Sequence, residues 1–96
     1  MITSKQRSYL RSLAHTLSPI FQIGKDGISE TLCEGVSSAL EARELLKVRV
    51  LENSGYRPAD AMAELADAVG AEAVGVIGSV LILYRTSEKK KRIELP

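Results

Sequence analysis

Between Gly24 and Gly27 the chain holds a lysine and an aspartate, in a stretch IGKDGISETL that interrupts an apolar run and then opens a helix. Paired glycines permit positive φ angles and leave backbone N–H groups uncovered. The helix that follows adds N–H groups without intrahelical partners and the positive end of its dipole. Such a turn suits an anion, and Lys25 at its tip supplies a mobile charge able to reach a phosphate. A Walker A loop would need four residues between its glycines and then Gly-Lys-Ser/Thr, which this stretch lacks.

The spacing is instead that of the short GxxG loop with which KH domains clamp a nucleic-acid backbone. Alone it is a weak signal, and an ordinary strand-to-helix turn is the competing reading. Gly75-Val76-Ile77-Gly78 spells the same pattern with an apolar interior and leads into a hairpin, so that copy reads as structural. Other cations favour the first copy. Arg7, Arg11 and His15 recur at helical spacing, and like charges so placed repel by a few tenths of a kcal/mol, roughly. Lys47 and Arg49 alternate along a strand, and Lys89, Lys90, Lys91 and Arg92 form a basic run. Each patch taken singly is a solvated face; together with a GxxG loop they form a surface for a phosphate backbone. The four aromatics, Tyr9, Phe21, Tyr56 and Tyr84, are scattered. Base stacking on a sheet is therefore not expected, and backbone and shape contacts are.

Charge is segregated. Residues 1–25 carry four cations and no acid, residues 26–72 ten acids against four cations, and residues 73–96 five cations against two acids. If the two ends meet, the molecule has a basic and an acidic face. Catalysis finds little material. His15 is the only histidine and Cys33 the only cysteine, with no Asp or Asn placed to orient an imidazole. Two such ligands are too few for a structural zinc site, Cys33 reads as a small, partly buried hydrophobe, and no cofactor is implied. A non-enzymatic protein is expected. A lone cysteine, no leader-like N-terminus and no long apolar run point to the cytoplasm.

The elements that position these groups follow from periodicity. Thr3 and Gln6 form a capping box, and Leu10, Leu13, Ala14 and Leu17 mark the core face of a first helix ended by Ser18-Pro19. Ile20–Ile23 reads as a short buried strand. Ser29 caps a second helix, with Leu32, Val36, Ala39 and Leu40 inward. Glu30, Glu34, Glu41 and Glu44 give that helix an acidic outer side, the basis of an alternative reading as a protein-interaction adaptor. Leu46–Leu51 alternates, with Leu46, Val48 and Val50 on one side and Lys47 and Arg49 on the other. Pro58 opens a third helix through Ala61, Met62, Leu65, Ala66 and Val69 to Gly70. Ala73–Ile77 and Val80–Tyr84 flank Gly78-Ser79, a type II′ hairpin signal. The tail after Arg85 reads as loose and basic, although Ile93 and Leu95 could dock. The expected fold class is α/β: an α-β-α-β-α-β-β two-layer sandwich with a four-stranded mixed sheet, one domain over 1–96, and a monomer.

The run SPIFQIGKDGISETLCEGVSSALEARELLKVRVL, with VGVIGSVLILYR and KKKRIELP downstream, resembles the bacterial YhbY family, single-domain members of the CRM (chloroplast RNA splicing and ribosome maturation) class. The likeness spans nearly the whole chain. It implies a fold like the C-terminal domain of a bacterial translation initiation factor. It also implies binding to ribosomal RNA in precursors of the large (50S) subunit and a part in their assembly; whether ribosomal proteins share the contact stays open at this point. The family's GxxG loop falls on Gly24, Lys25, Asp26 and Gly27, and its basic surface on Arg7, Arg11, Lys47, Arg49 and Arg85. Ser79 departs from the pattern, since many members carry Lys or Arg after the glycine of the final hairpin.

Overall fold

A computed structural model describes residues 2–96. Helix α1 spans Ser4–Ala14, strand β1 Phe21–Ile23, helix α2 Glu30–Arg43 and strand β2 Leu45–Val50. A short 3-10 turn over Glu52–Ser54 leads to helix α3, Pro58–Val69, and then to strands β3, Glu72–Ile77, and β4, Val80–Tyr84. The sheet order is β1-β2-β4-β3, with β1 parallel to β2 and the other pairs antiparallel. Parallel pairing of β1 and β2 needs a crossover, which α2 supplies. The α-β-α-β-α-β-β order and the mixed four-stranded sheet are as the sequence predicts.

Local chemistry sets the boundaries. Thr3 Oγ1 accepts the Gln6 N–H at 3.1 Å while Gln6 Oε1 accepts the Thr3 N–H at 3.0 Å, closing the capping box. Ser29 Oγ takes the Leu32 N–H at 3.1 Å at the start of α2. Pro58 stands in the first turn of α3 and Gly70 ends it in a left-handed conformation. Gly78 has a positive φ and Ser79 does not, as a type II′ turn requires.

The layers are finer than a two-layer sandwich. Leu46, Val48 and Val50 of β2 and Leu81 and Leu83 of β4 join Val36 and Leu40 of α2 and the buried face of α3 in the larger core. The alternate residues Leu45, Ile82 and Tyr84 join Val74, Leu10 and Ala14 in a second cluster. Because successive strand residues point to opposite faces, α1 lies on the side of the sheet away from α2 and α3. Both faces of β2 and β4 are apolar near the Leu45–Tyr84 end, so both need cover.

Two expectations about α1 are corrected. The helix stops at Ala14, and Leu17 N–H closes only a turn onto the Ala14 carbonyl at 3.0 Å. Leu17 therefore leaves the helical register and stays 38% exposed, while Leu13, still within α1, is 37% exposed; both line an open groove with Ile20, itself 42% exposed. In β1 only Ile23 is fully buried.

Candidate nucleic-acid interface

The Gly-Lys-Asp-Gly turn hangs from the end of β1. Gly27 N–H donates to the Gly24 carbonyl at 2.9 Å, closing a β-turn with Lys25 and Asp26 exposed at its tip. The two glycines differ. Gly27 has a φ of 69°, left-handed, whereas Gly24 has no positive φ, which corrects the expectation of two permissive positions. A Cβ on Gly24 would stand 3.6 Å from Leu51 Cδ1, an ordinary contact. Past the turn, Ser29 caps α2, whose first N–H groups and positive end face the loop.

The same edge of the sheet gathers other groups. Ile23 pairs with Val50, and Val50 N–H donates to the Ser79 carbonyl at 2.7 Å. The loop, the end of β2 and the hairpin tip thus share one edge. On the α1 side, α1 covers the far half of the sheet and leaves this near half open. Cross-strand neighbours Gln22, Arg49 and Val80 lie there with Ile77, which is 61% exposed. Lys47, one step inward beside Ile82, donates from Nζ to the Leu17 carbonyl at 3.0 Å. Arg11 lies across the backbone of β3, its Nε 3.3 Å from where a Cβ on Gly75 would stand. Arg7 Nε donates to the Ala73 carbonyl at 3.3 Å. Lys25, Arg49, Lys47, Arg11 and Arg7 thus lie on the loop edge and the α1 side of the molecule. His15 is exposed just past α1, while Cys33 packs half-buried against the α2–α3 core, on the other side of the sheet.

The remaining cations are elsewhere. Arg85 points among α2 and α3: Nη1 donates to Ser37 Oγ at 2.9 Å and to the Val69 carbonyl at 2.7 Å, and Nη2 to the Ser37 carbonyl at 2.7 Å. That fork ties β4 to both helices, at the carbonyl end of α3 where a cation is favoured. Lys89, Lys90, Lys91 and Arg92 follow β4 from the opposite edge, where Tyr84 pairs with Leu45. The length of β2 separates this edge from the loop by about 17 Å.

Nor is the tail loose. The Glu44 carboxylate, fully buried, accepts the backbone N–H groups of Ser87 at 2.7 Å, Arg92 at 2.6 Å and Ile93 at 2.7 Å. Glu41 accepts the Ser87 hydroxyl and the N–H groups of Glu88 and Lys89. Ile93 and Leu95 dock on the α1-side cluster, and the Pro96 carbonyl accepts from Gln6 Nε2 at 3.2 Å. Burial pushes the Glu44 carboxyl up, but the three N–H groups outweigh it and hold it below the usual carboxylate range. The Ser87 hydroxyl, followed by the Lys89 N–H, does the same for Glu41. Glu41 and Glu44 are thus occupied by the chain's own tail, which removes half of the acidic outer face on which the adaptor reading rested.

Sequence reasoning placed Glu44 on an exposed acidic face, where the structure buries it, and assigned no role to Tyr56 or to the open-face residues Gln22 and Ile77. Gln22 was within reach, because strand alternation turns it to the face opposite Phe21 and Ile23; the place of Ile77 depends on strand pairing that no local pattern shows. The partners of Glu44 lie 43 to 49 residues away, beyond any local pattern.

The chain belongs to the CRS1/YhbY (CRM) domain family, whose model matches residues 2–85. A Bacillus subtilis protein named "Probable RNA-binding protein YqeI" is 44% identical over the whole of both chains. A Haemophilus influenzae protein named "RNA-binding protein" is 34% identical, covering 99% of this chain and 95% of its own length. The solution structure of a hypothetical Staphylococcus aureus protein, described as an RNA-binding candidate, superimposes with a TM-score of 0.80 at 45% identity, with both chains fully covered.

Proposed function

We propose that this chain is a non-enzymatic RNA-binding protein that contacts ribosomal RNA in large-subunit precursors and assists their assembly in the cytoplasm, acting as a monomer. One observation carries the reading: the Gly-Lys-Asp-Gly turn and the open, basic half of the sheet share one edge, joined through Ile23, Val50 and Ser79. Gly24 and Gly27 shape the loop, Lys25 meets a phosphate, and the start of α2 adds N–H donors. Arg49, Lys47, Arg11 and Arg7 carry the strand of phosphates across the α1 side. Ile77 and Val80 offer apolar area against sugars or base edges, and none of the described strand residues on the open face, Gln22, Lys47, Arg49, Ile77 and Val80, is aromatic. Binding therefore follows the backbone and shape of the RNA rather than stacked bases. Relatives named for RNA binding, similar along the whole chain, support the same reading. Arg85 is left out of the site because its guanidinium is spent on α2 and α3.

The test is sedimentation of a cell extract through a gradient at low magnesium, probing each fraction for the protein. Migration with free large subunits or their precursors, lost after Lys25→Ala, is the expected result. A protein that stays at the top of the gradient at every salt concentration contradicts the ribosomal partner.

A further inference from the structure

The chain commits a buried carboxylate to its basic run. Glu44 ends α2 with a φ of 67°, a conformation that favours glycine, and its side chain is fully buried. Burying an ionised carboxylate is costly unless its oxygens are satisfied by donors. Here the donors are all from one loop: the N–H groups of Ser87, Arg92 and Ile93 converge on the two oxygens. Glu41 holds the near side of that loop through Ser87, Glu88 and Lys89, and the Lys90 N–H closes onto Ser87 Oγ at 3.0 Å. The backbone of residues 87–93 is thereby pinned at six of its N–H groups. The side chains of Lys89, Lys90, Lys91 and Arg92 nevertheless remain exposed.

We infer that this loop is a second, preorganised contact for an RNA backbone, at the opposite edge of the sheet from the Gly-Lys-Asp-Gly turn, with Glu44 as its positioning residue. The inference rests on the RNA-binding reading above and adds a separate site to it. The ligand is the same chemistry, successive phosphates of one strand, met here by four cations on a fixed scaffold. A basic tail without such anchors would lose chain entropy on binding; one already fixed loses much less. The two contacts lie at opposite ends of β2, about 17 Å apart by strand rise. An RNA long enough to reach both is therefore held more tightly than one that reaches a single end.

Glu44→Gln gives the test a sign. It removes no cation and one negative charge, so electrostatics alone makes the protein bind RNA more tightly. Loss of the anchor makes it bind less tightly. Fluorescence anisotropy with a long single-stranded RNA would compare the native chain, Glu44→Gln, the joint Lys89→Ala, Lys90→Ala and Lys91→Ala variant, and Lys25→Ala. The expected result is a loss of about three- to tenfold for Glu44→Gln, similar to the triple lysine variant, with no loss on an RNA too short to leave the Lys25 end. Affinity for the long RNA equal to or above native in Glu44→Gln overturns the inference while leaving the Lys25 site standing. If Glu44→Gln does not fold, Glu44→Asp decides: it keeps the charge but draws the carboxylate back from the N–H groups of Ser87, Arg92 and Ile93, and a native affinity there overturns the inference equally. A native chain that binds no RNA overturns the RNA-binding reading itself, and this inference with it.

Discussion

The ring of Tyr56 lies behind Gly27, its Cε2 3.5 Å from the point where a Cβ on that glycine would stand, while its hydroxyl donates to Glu64 at 2.9 Å. The hydrogen bond to Glu64 pushes the phenol above its usual range. The loop is thus backed by a ring fixed to α3, and Gly27 is held left-handed against it. Gly27→Ala is expected to destabilise the fold by about 1–2 kcal/mol, the cost of a left-handed L-residue. Gly24→Ala, at a position without positive φ, costs well under that. Denaturant unfolding of the two variants checks the difference; equal effects would mean that the turn is not as described.

Arg85 separates a structural cation from a binding one. Arg85→Ala removes hydrogen bonds from a charged group to Ser37 and to the Val69 carbonyl, and should cost about 2 kcal/mol. RNA affinity of the folded fraction should not change. Arg85→Lys should restore little of the stability, because an ammonium cannot reproduce the planar fork. A variant of normal stability with weakened RNA binding would return Arg85 to the interface.

The Glu41–Glu44 clasp predicts an acid-sensitive tail. Both carboxyls are held below their ordinary range in the folded chain. Their contribution to stability is therefore complete above about pH 4.3, the unfolded value, and is lost as pH falls through the folded values. Unfolding free energy measured across that window should fall more steeply for the native chain than for Glu44→Gln. Glu44→Gly offers a second check, since glycine relieves the positive φ by about 1 kcal/mol. It should still destabilise, because the three tail N–H groups lose their acceptor. A stabilised Glu44→Gly would show that the residue serves the turn alone.

Leu10 and Leu13 lie one helical turn apart and should behave differently. Leu10 is fully buried, so Leu10→Ala should cost about 2–5 kcal/mol by leaving a cavity. Leu13, 37% exposed on the groove, should cost about 1 kcal/mol or less. Thermal unfolding of the pair distinguishes them.

These contrasts mark how far sequence reasoning reaches. The whole buried face of α3, from Ala61 to Val69, follows from local periodicity, as do the caps at Thr3 and Ser29 and the outward Lys47 and Arg49. Each depends on neighbours within a turn or a strand. The misread parts depend on distant partners. Leu17 keeps helical spacing in the sequence, but α1 ends at Ala14 and the register lapses, and Leu13, inside the helix, faces the open groove rather than the core. The tail is rich in lysine and reads as solvated; what orders it is a carboxylate at the far end of α2. Arg85 sits beside a basic run in sequence yet turns its guanidinium to Ser37 and Val69. For the site, the loop and the strand cations were legible singly. Their common edge was not, because it is made by the β1–β2 pairing and the contact between Val50 and Ser79.

The central claim is that the Gly-Lys-Asp-Gly turn and the open sheet half bind an RNA backbone, and salt titration of affinity tests it most directly. Binding of a single-stranded RNA would be measured over a series of salt concentrations for the native chain, Lys25→Ala and Arg49→Ala. Each substitution should weaken binding and reduce the magnitude of the log–log slope by about 0.7, one phosphate contact, with stability unchanged. Native affinity and native slope in both variants would contradict the assignment of this edge as the RNA-binding surface.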